Sequence, residues 1–343
     1  MKPWTEYGAT TLNELTEALE KSYGVQAVEL HRIHAGTNTV NFRVVDETGR
    51  SWFAKLYDGN LDSEREAIEL TAYAGRAVPV PAVRRTLDGD LIAAPLPMSL
   101  WEFVDGETAE GGLTGARWPA VGTVLGRLHR RLSEHPRARP TLRPATGLRD
   151  VARAERNFDV LIARLQARAE LTSFEAWACE AAQERRALLG HAGALLAGLP
   201  ALTTHVLHGD LASPNLMLNG DDVAAVIDFQ PPRPGFVAWE IARIGCDPRT
   251  VILGDQWIDG LAVLLDAYRS EHPAARPDDL RSVVAAGCAH TLGSTYPLSA
   301  PAPVPASLEL YARARHQAAL TMLDRLPEVQ DRLSAAGGRP RSD

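Results

Sequence analysis

The sequence predicts an α+β protein with a small β-rich N-terminal lobe and a larger, mainly helical C-terminal lobe. Short alternating and β-branched runs fill most of the first hundred residues, with one helical pattern inserted among the strands. Most of the remainder shows the apolar spacing of helices, and 343 residues suffice for two separate cores. We therefore expect lobes over residues 1–100 and 107–336, a hinge at 101–106, and a flexible tail at 337–343.

The N-terminal lobe is predicted to open with a helix that starts at a capping box, Thr11 to Glu14, and ends at Gly24. The next elements are predicted as strands over 28–34, 39–45 and 51–57, a helix over 62–75, and two short strands flanking residues 88–89. The lobe is therefore expected to be a sheet with helices added to it.

The C-terminal lobe begins with an apolar stripe from Val121 to Leu132 that predicts a helix. A Pro/Arg-rich segment, 136–144, is expected to be a loop, and long Ala/Leu/Arg-rich helices are expected over 149–198. A strand-and-loop section from 206 to 229 interrupts the helices, which then continue to about Leu326.

Composition excludes several classes of protein. An apolar fraction of 45% and a charged fraction of 23% are typical of globular proteins, and a net charge of -7 disfavours a nucleic-acid partner. Three scattered cysteines indicate neither a disulfide framework nor a zinc site. The N-terminus has no signal-peptide pattern and no segment has transmembrane length, so we expect a cytoplasmic protein without a membrane partner.

The strongest chemical signal is the segment 208–215, which reads HGDLASPN, followed by IDF at 227–229. The intervening residues predict a hairpin, which would bring Asp210, Asn215 and Asp228 to one edge. Single polar residues at strand ends are commonly turn formers, but a spaced set of three is far rarer. We interpret the set as a functional site.

This set of side chains suits phosphoryl transfer. That reaction needs a metal to neutralise phosphates and a group to orient the attacking hydroxyl. Mg²⁺ prefers oxygen ligands and retains water, so Asn215 and Asp228 could hold it, which leaves Asp210 to accept the hydroxyl proton.

The same motifs resemble the aminoglycoside phosphotransferases and their choline- and homoserine-kinase relatives, which share the protein-kinase-like fold. The resemblance implies ATP and Mg²⁺ as cofactors, Asp210 as catalytic base, and Asn215 and Asp228 as metal ligands. It also implies that His208 and Glu240 support the catalytic loop. Glu240 stands where relatives usually carry Asp, so the loop could be slightly displaced. The HGD triplet implies a small-molecule hydroxyl acceptor.

The nucleotide-binding residues are implied by the resemblance as well. Lys55 is similar to the strand lysine that contacts the α- and β-phosphates, and Glu66 to the helix glutamate that pairs with it. The segment 101–106 resembles the hinge that meets adenine through its backbone, at Glu102 and Val104. Lys55 taken alone would be better explained as a solvated strand lysine. Glu66 could instead complete a capping box with Ser63.

The phosphate-cradling turn is expected at Gly36, Thr37 and Asn38. With one glycine there, an ordinary β-turn is an equal alternative. His129 lies on an apolar helical stripe and is expected to be a hydrogen-bonded core histidine.

The motifs do not name the acceptor, since fold and function are set by different residues. The leading hypothesis is an aminoglycoside-like or other antibiotic, which would give resistance. The alternatives are a metabolic kinase of homoserine, choline or a similar amino alcohol, and a nucleotide-binding pseudokinase. The choice of ATP over GTP and the oligomeric state cannot be read from the sequence.

Overall fold

The chain divides into two units that do not follow its order strictly. The structure, a computed structural model, describes residues 9–34 and 39–337, with side chains over 12–34 and 39–333. One unit contains the described residues up to Glu107 together with Asn215–Pro232, and the other contains Thr108–Pro214 and the residues from Arg233 onward. The sequence prediction assigned 215–232 to the C-terminal lobe instead.

A five-stranded antiparallel sheet forms the first unit, with two helices. Its elements are α1 (Ala9–Tyr23), β1 (Ala27–Ile33), β2 (Thr39–Asp46), β3 (Ser51–Tyr57), α2 (Leu61–Ala74), β4 (Val83–Arg84) and β5 (Met98–Glu102). The strand order is β1-β2-β3-β5-β4. Alternation along β3 buries Trp52, Ala54 and Leu56, which pack in one core with Leu15 and Leu19 of α1. The helix α1 begins at Ala9, two residues before the predicted cap.

A β-hairpin completes this unit. It consists of β9 (Leu216–Asn219) and β10 (Asp222–Val226), as the sequence predicted, and the backbone N–H of Val226 donates to the carbonyl of Pro79 at 2.9 Å. This hydrogen bond ties the hairpin to the segment that follows α2. The short strand β6 (Glu107–Thr108) lies where the chain passes from the first unit to the second.

The second unit is mainly helical. Its helices are α3 (Arg117–Ser133), α4 (Val151–Gln166), α5 (Ser173–Gly198), α6 (Val237–Gly245), α7 (Pro248–Val251), α8 (Gln256–Glu271), α9 (Pro277–Arg281), α10 (Val283–Leu292), α11 (Ala306–Asp324) and α12 (Leu326–Gly337). Close packing joins α3 to α8, because a Cβ at Gly122 would lie 2.2 Å from the carbonyl oxygen of Leu264. Phe158 of α4 and Phe174 of α5 belong to a separate core.

A three-stranded sheet in the second unit was not predicted. It contains β7 (Thr141–Arg143), β8 (Leu202–Val206) and β11 (Pro234–Phe236), in the order β11-β8-β7. The loop expected over 136–144 is therefore wrong at residues 141–143. All three residues of β7 are exposed, so no burial pattern marks the strand, and its partner β8 is about 60 residues away.

No helix in the described part of the chain is long and apolar enough to cross a membrane.

Candidate active site

Lys55 and Asp228 form an ion pair within the first unit. Lys55 lies in the centre of β3, opposite Asn41 of β2 and Ser99 of β5. Its Nζ donates to Oδ1 of Asp228 at 2.5 Å. The Lys55 side chain is 19% exposed and that of Asp228 is 41% exposed, so both charged groups can still meet a ligand. The sheet thus fixes the ammonium, and the residues after β10 supply the carboxylate.

Asp228 has a left-handed backbone conformation, with φ of 62°. It is the one non-glycine residue with positive φ in the part of the chain that the structure describes. Such a conformation costs about 1–3 kcal/mol and clusters at functional sites, where it fixes the direction of a side chain. The backbone here directs the carboxylate at Lys55.

Asn215 lies at the other end of the hairpin. Its carbonyl accepts a hydrogen bond from the backbone N–H of Ile227 at 3.0 Å, which holds Asn215 beside the residue preceding Asp228. Among the described residues, no group of three or more His, Cys, Asp or Glu could form a protein cage for a metal. Mg²⁺ does not require one, since it usually takes one or two carboxylates together with waters and phosphates. One partly exposed carboxylate near an amide residue fits such an ion.

The helix α2 also carries Glu64, a glutamate that was not predicted, within electrostatic reach of Lys55. Burial raises the pKa of Glu64, the charge of Lys55 lowers it, and the charge of Asp228 raises it. Glu64 therefore interacts electrostatically with both members of the ion pair. Glu66 is half-buried on the same helix, and its pairing with Lys55 stays a prediction. The alternative capping box at Ser63 and Glu66 is wrong, because α2 begins at Leu61 and the side chain of Asn60 caps it.

The structure describes two of the five remaining residues that were predicted to bind nucleotide. Glu102 ends β5, its backbone N–H donates to the carbonyl of Ala82 at 2.8 Å, and its carboxylate pairs with Arg50. Val104 follows the strand in irregular backbone and is half-buried. Gly36, Thr37 and Asn38 lie outside the described residues.

Asp210 belongs to the second unit, on the loop after β8. An Nη atom of Arg243, on α6, donates to its carboxylate, and Nε of the same arginine donates to the carbonyl of Leu211 at 3.0 Å. The Asp210 side chain is 45% exposed. Two N–H donors of one arginine thus hold the Asp210 carboxylate and the loop backbone next to it.

Glu240, also on α6, holds the beginning of this loop. Its carboxylate accepts hydrogen bonds from the backbone N–H groups of His208 at 3.1 Å and Gly209 at 2.8 Å. The ring of His208 is buried, and its Nδ1 accepts from the backbone N–H of Asp210 at 3.2 Å. The two residues that the sequence assigned to loop support therefore both contact loop backbone.

His129 is buried and hydrogen-bonded, as predicted. Its Nδ1 lies 3.0 Å from the hydroxyl of Tyr268, and its Nε2 lies 3.0 Å from Glu240. Burial acts to raise the pKa of Glu240, but the hydrogen bond and charge of His129, with His208 and Gly209, outweigh it and lower that pKa to about 2. The carboxylate is therefore ionised at neutral pH.

Sequence reasoning missed two residues of this site, Arg243 and Glu64. Arg243 lies three residues after Glu240 and so on the same face of a helix, which could have been noticed once Glu240 had been assigned to the loop. Glu64 and Glu66 both fall within the predicted helix, and which of them acts on Lys55 depends on how that helix packs.

The family model of the phosphotransferase enzyme family matches residues 29–277, well over half of the chain. The chain belongs to this family. The phosphotransferase also matches solved structures along almost its whole length, and the predicted α+β, protein-kinase-like fold is confirmed. A comparison with curated proteins by sequence gave no match.

Three of these structures show the range of similar proteins. A spectinomycin phosphotransferase in complex with ADP and spectinomycin is 15% identical, with a TM-score of 0.65, and covers 91% of this chain and 98% of its own. A fructosamine-3-kinase of Thermobifida fusca is 18% identical, with a TM-score of 0.53 and coverage of 91% and 99%. An amicoumacin kinase in complex with AMP-PNP, Ca²⁺ and Ami is 13% identical, with a TM-score of 0.54 and coverage of 96% and 95%.

Proposed function

We propose that this phosphotransferase transfers the γ-phosphate of Mg-ATP to a hydroxyl group of a small molecule. The observation that carries the proposal is the ion pair of Lys55 with Asp228, whose carboxylate is directed by a left-handed backbone. Strain of this kind persists only where surrounding structure maintains it. An ammonium and a carboxylate in contact and still partly exposed are suited to binding phosphate oxygens and a cation, respectively.

In the nucleotide half, Lys55 would bind phosphate oxygens of ATP. Asp228 and Asn215 would hold Mg²⁺, which neutralises phosphate charge when it is bound. The neighbours with ADP and with AMP-PNP and Ca²⁺ support a nucleotide and a divalent cation in proteins of this fold. The choice of Mg²⁺ is part of the proposal.

In the catalytic half, Asp210 would accept the proton of the acceptor hydroxyl. The hydroxyl oxygen forms a bond to the γ-phosphorus as the bond to the β–γ bridging oxygen breaks, and ADP leaves. Arg243 and Glu240 do not contact the reacting atoms in this scheme. They position the loop, Arg243 through the Asp210 carboxylate and Glu240 through backbone N–H groups.

The proposed phosphate acceptor is a small molecule that carries a hydroxyl group. Two of the three structural neighbours described above act on antibiotics by their names and the third on a fructosamine, which supports a small hydroxyl compound of either type. An antibiotic acceptor remains the leading proposal, with amino alcohols such as homoserine and choline as the metabolic alternative. The cytoplasmic location also stays a prediction.

The experiment is a coupled assay of ADP release over a panel of aminoglycosides, other antibiotics, homoserine and choline. We expect acceptor-dependent turnover that falls about a hundredfold or more in Asp210→Ala, while Mg-ATP binding measured by calorimetry is retained. Asp221→Ala, in the turn of the hairpin, is the matched control and should keep wild-type turnover. Wild-type turnover in Asp210→Ala would refute the proposal. Nucleotide binding without transfer to any hydroxyl compound would favour the pseudokinase.

A further inference from the structure

Three arginines gather between helices of the second unit near Arg243. Arg149 lies two residues before α4, Arg185 lies on α5, and Arg315 lies on α11. The three are called the arginine cluster below. The helix α10 packs against α5, α6 and α11, so the cluster and Arg243 surround this helix.

Among the described side chains, the arginine cluster has no salt bridge to a carboxylate, and Asp150, Glu184 and Asp247 attract its members only without direct contact. Arg185 is fully buried, and its Nη1 donates to the carbonyl of Ser294 at 3.1 Å, while its Nε and Nη2 have no hydrogen-bond partner. Arg149 donates to the carbonyl of Gly293, and its buried Nε has no partner. Over the described side chains, none of the three arginines forms a salt bridge with Asp or Glu. Buried donors without acceptors are rare in folded proteins.

Electrostatics make this arrangement costly without a counterion. Burial, and after it the charge of Arg315, lower the pKa of Arg185 to about 9. The pKa values of Arg149 and Arg315 are also lowered, first by burial and then by neighbouring arginines. Because a guanidinium remains protonated in proteins, the repulsion among the arginines is reduced by binding an anion and not by losing a proton.

A histidine and a tryptophan complete the surroundings. His290 stacks on Trp239, with ring centroids 3.6 Å apart, and its buried Nδ1 has no hydrogen-bond partner. Burial and the charges of Arg149, Arg315 and Arg243 lower the pKa of His290 well below its usual range, so the ring is neutral. A neutral imidazole nitrogen can donate to an oxyanion or accept from a hydroxyl.

The arginine cluster is linked to the catalytic loop. Arg243 lies close enough to Arg315 to contribute to its lowered pKa, and Arg243 itself donates to Asp210. Arg149, Arg243, Arg315 and His290 are each half-buried, so the cluster is not sealed from a ligand. A molecule that places an anionic group on the arginines would reach the neighbourhood of Asp210 with its other end.

We propose that the arginine cluster binds an oxyanion, a carboxylate or a phosphate, that is part of the phosphate acceptor. The inference rests on the proposed function and names the acceptor as an anionic hydroxyl compound. It argues against a polycationic aminoglycoside, since bringing ammonium groups beside guanidiniums that have no salt-bridge partner is strongly unfavourable. An antibiotic or a metabolite that carries a carboxylate or phosphate remains compatible with the site.

The first experiment compares acceptors that differ in one charge. ADP release is measured with gluconate against gluconamide, with glucose 6-phosphate against glucose, and with the cationic aminoglycosides. We expect turnover only with anionic members, and the two pairs distinguish a carboxylate from a phosphate. Equal or better turnover with neutral or cationic members would overturn the inference.

The second experiment tests the residues. Arg315→Met should raise KM for the anionic acceptor tenfold or more with little change in kcat, and Arg315→Lys should recover part of the loss. Arg313→Met is the control, because Arg313 is exposed on the same helix and lies over Trp177. Unchanged KM in Arg315→Met would contradict the proposal. Arg185 is fully buried and is not used, since its loss could unfold the protein.

The third experiment separates this inference from the proposed function. Inorganic phosphate and gluconate are titrated calorimetrically at millimolar concentrations into wild type and Arg315→Met, each saturated with ADP. Weaker anion binding in Arg315→Met would support the anion site even if no acceptor were turned over. The lack of turnover would then count only against the proposed kinase activity. Absence of binding to wild type, or displacement of the anion by ATP, would overturn the anion site.

Discussion

The Nε2 atom of His129 lies 3.0 Å from the carboxylate of Glu240, and both side chains are buried. His129 belongs to α3 and Glu240 to α6, so this contact joins two helices directly beneath the catalytic loop. The same carboxylate accepts the backbone N–H groups of His208 and Gly209. The position of Asp210 thus depends on a buried charge that three groups stabilise together.

Replacing Glu240 tests this dependence. Glu240→Gln preserves the shape but removes the charge, and we expect a loss of about 1–3 kcal/mol in the free energy of unfolding, measured by urea denaturation. We also expect kcat to fall while nucleotide affinity stays unchanged, because the loop and not the nucleotide half is disturbed. Glu180→Gln, at an exposed position of α5, is the control. Full activity of Glu240→Gln would show that the loop does not need this carboxylate.

Two substitutions of Asp228 separate function from backbone strain. Asp228→Ala and Asp228→Gly both remove the carboxylate and the ion pair with Lys55, so both should lose metal-nucleotide binding in calorimetry. They should differ in stability, because glycine adopts φ of 62° without penalty and alanine does not. We expect the glycine variant to be more stable by about 1 kcal/mol in thermal or urea unfolding. Equal stabilities would show that the left-handed conformation is not maintained.

The two glutamates of α2 can be distinguished by their effect on nucleotide binding. Since Glu64 interacts electrostatically with both Lys55 and Asp228, Glu64→Gln should raise KM for ATP several-fold, and the predicted pairing of Glu66 with Lys55 requires that Glu66→Gln raise it as well. Steady-state kinetics at saturating acceptor measure both values, and the exposed Glu69→Gln serves as the control. A wild-type KM in Glu66→Gln would contradict the predicted pairing, and a wild-type KM in Glu64→Gln would show that Glu64 does not act on Lys55.

Acid should destabilise the protein through buried histidines. Burial lowers the pKa values of His205 and His272 to about 4, with the charge of His129 contributing to both. The unfolded chain binds these protons near pH 6.5, so the free energy of unfolding falls as the pH drops from about 6.5 to about 4, by up to about 1.4 kcal/mol per pH unit for each histidine. Glu240, with a pKa of about 2, extends the loss below pH 4.5.

The variant His205→Gln should flatten this dependence between pH 6.5 and 4, as measured by urea denaturation at several pH values. His31→Gln is the control, because that side chain is 60% exposed. A slope in His205→Gln as steep as that of wild type would show that His205 is not a neutral residue that acid must charge.

Local patterns predicted most of the first unit. The strands β1, β2 and β3 and the helix α2 lie within one residue of their predicted bounds, because alternation and breakers act over a few residues. The hairpin β9–β10 was predicted for the same reason.

The features that the sequence did not predict depend on contacts between residues that are far apart in the chain. The strand β7 has no burial pattern of its own and exists through pairing with β8. Arg243 reaches Asp210 from 33 residues along the chain, and the arginine cluster comes from three separate elements. The start of α2 was predicted one residue late. Asn60 and Ser63 can both cap a helix, and only the backbone conformation shows which of them does so.

The assignment of the hairpin to the first unit constrains how the protein can be made. The first unit is not a continuous stretch of chain, because Asn215–Pro232 contributes to it and 107 residues of the second unit precede that segment. During synthesis from the N-terminus, the sheet that carries Lys55 therefore emerges long before the segment that carries Asp228. The first unit is completed only after most of the chain has left the ribosome, so an N-terminal fragment ending at Glu107 would lack the carboxylate that pairs with its lysine.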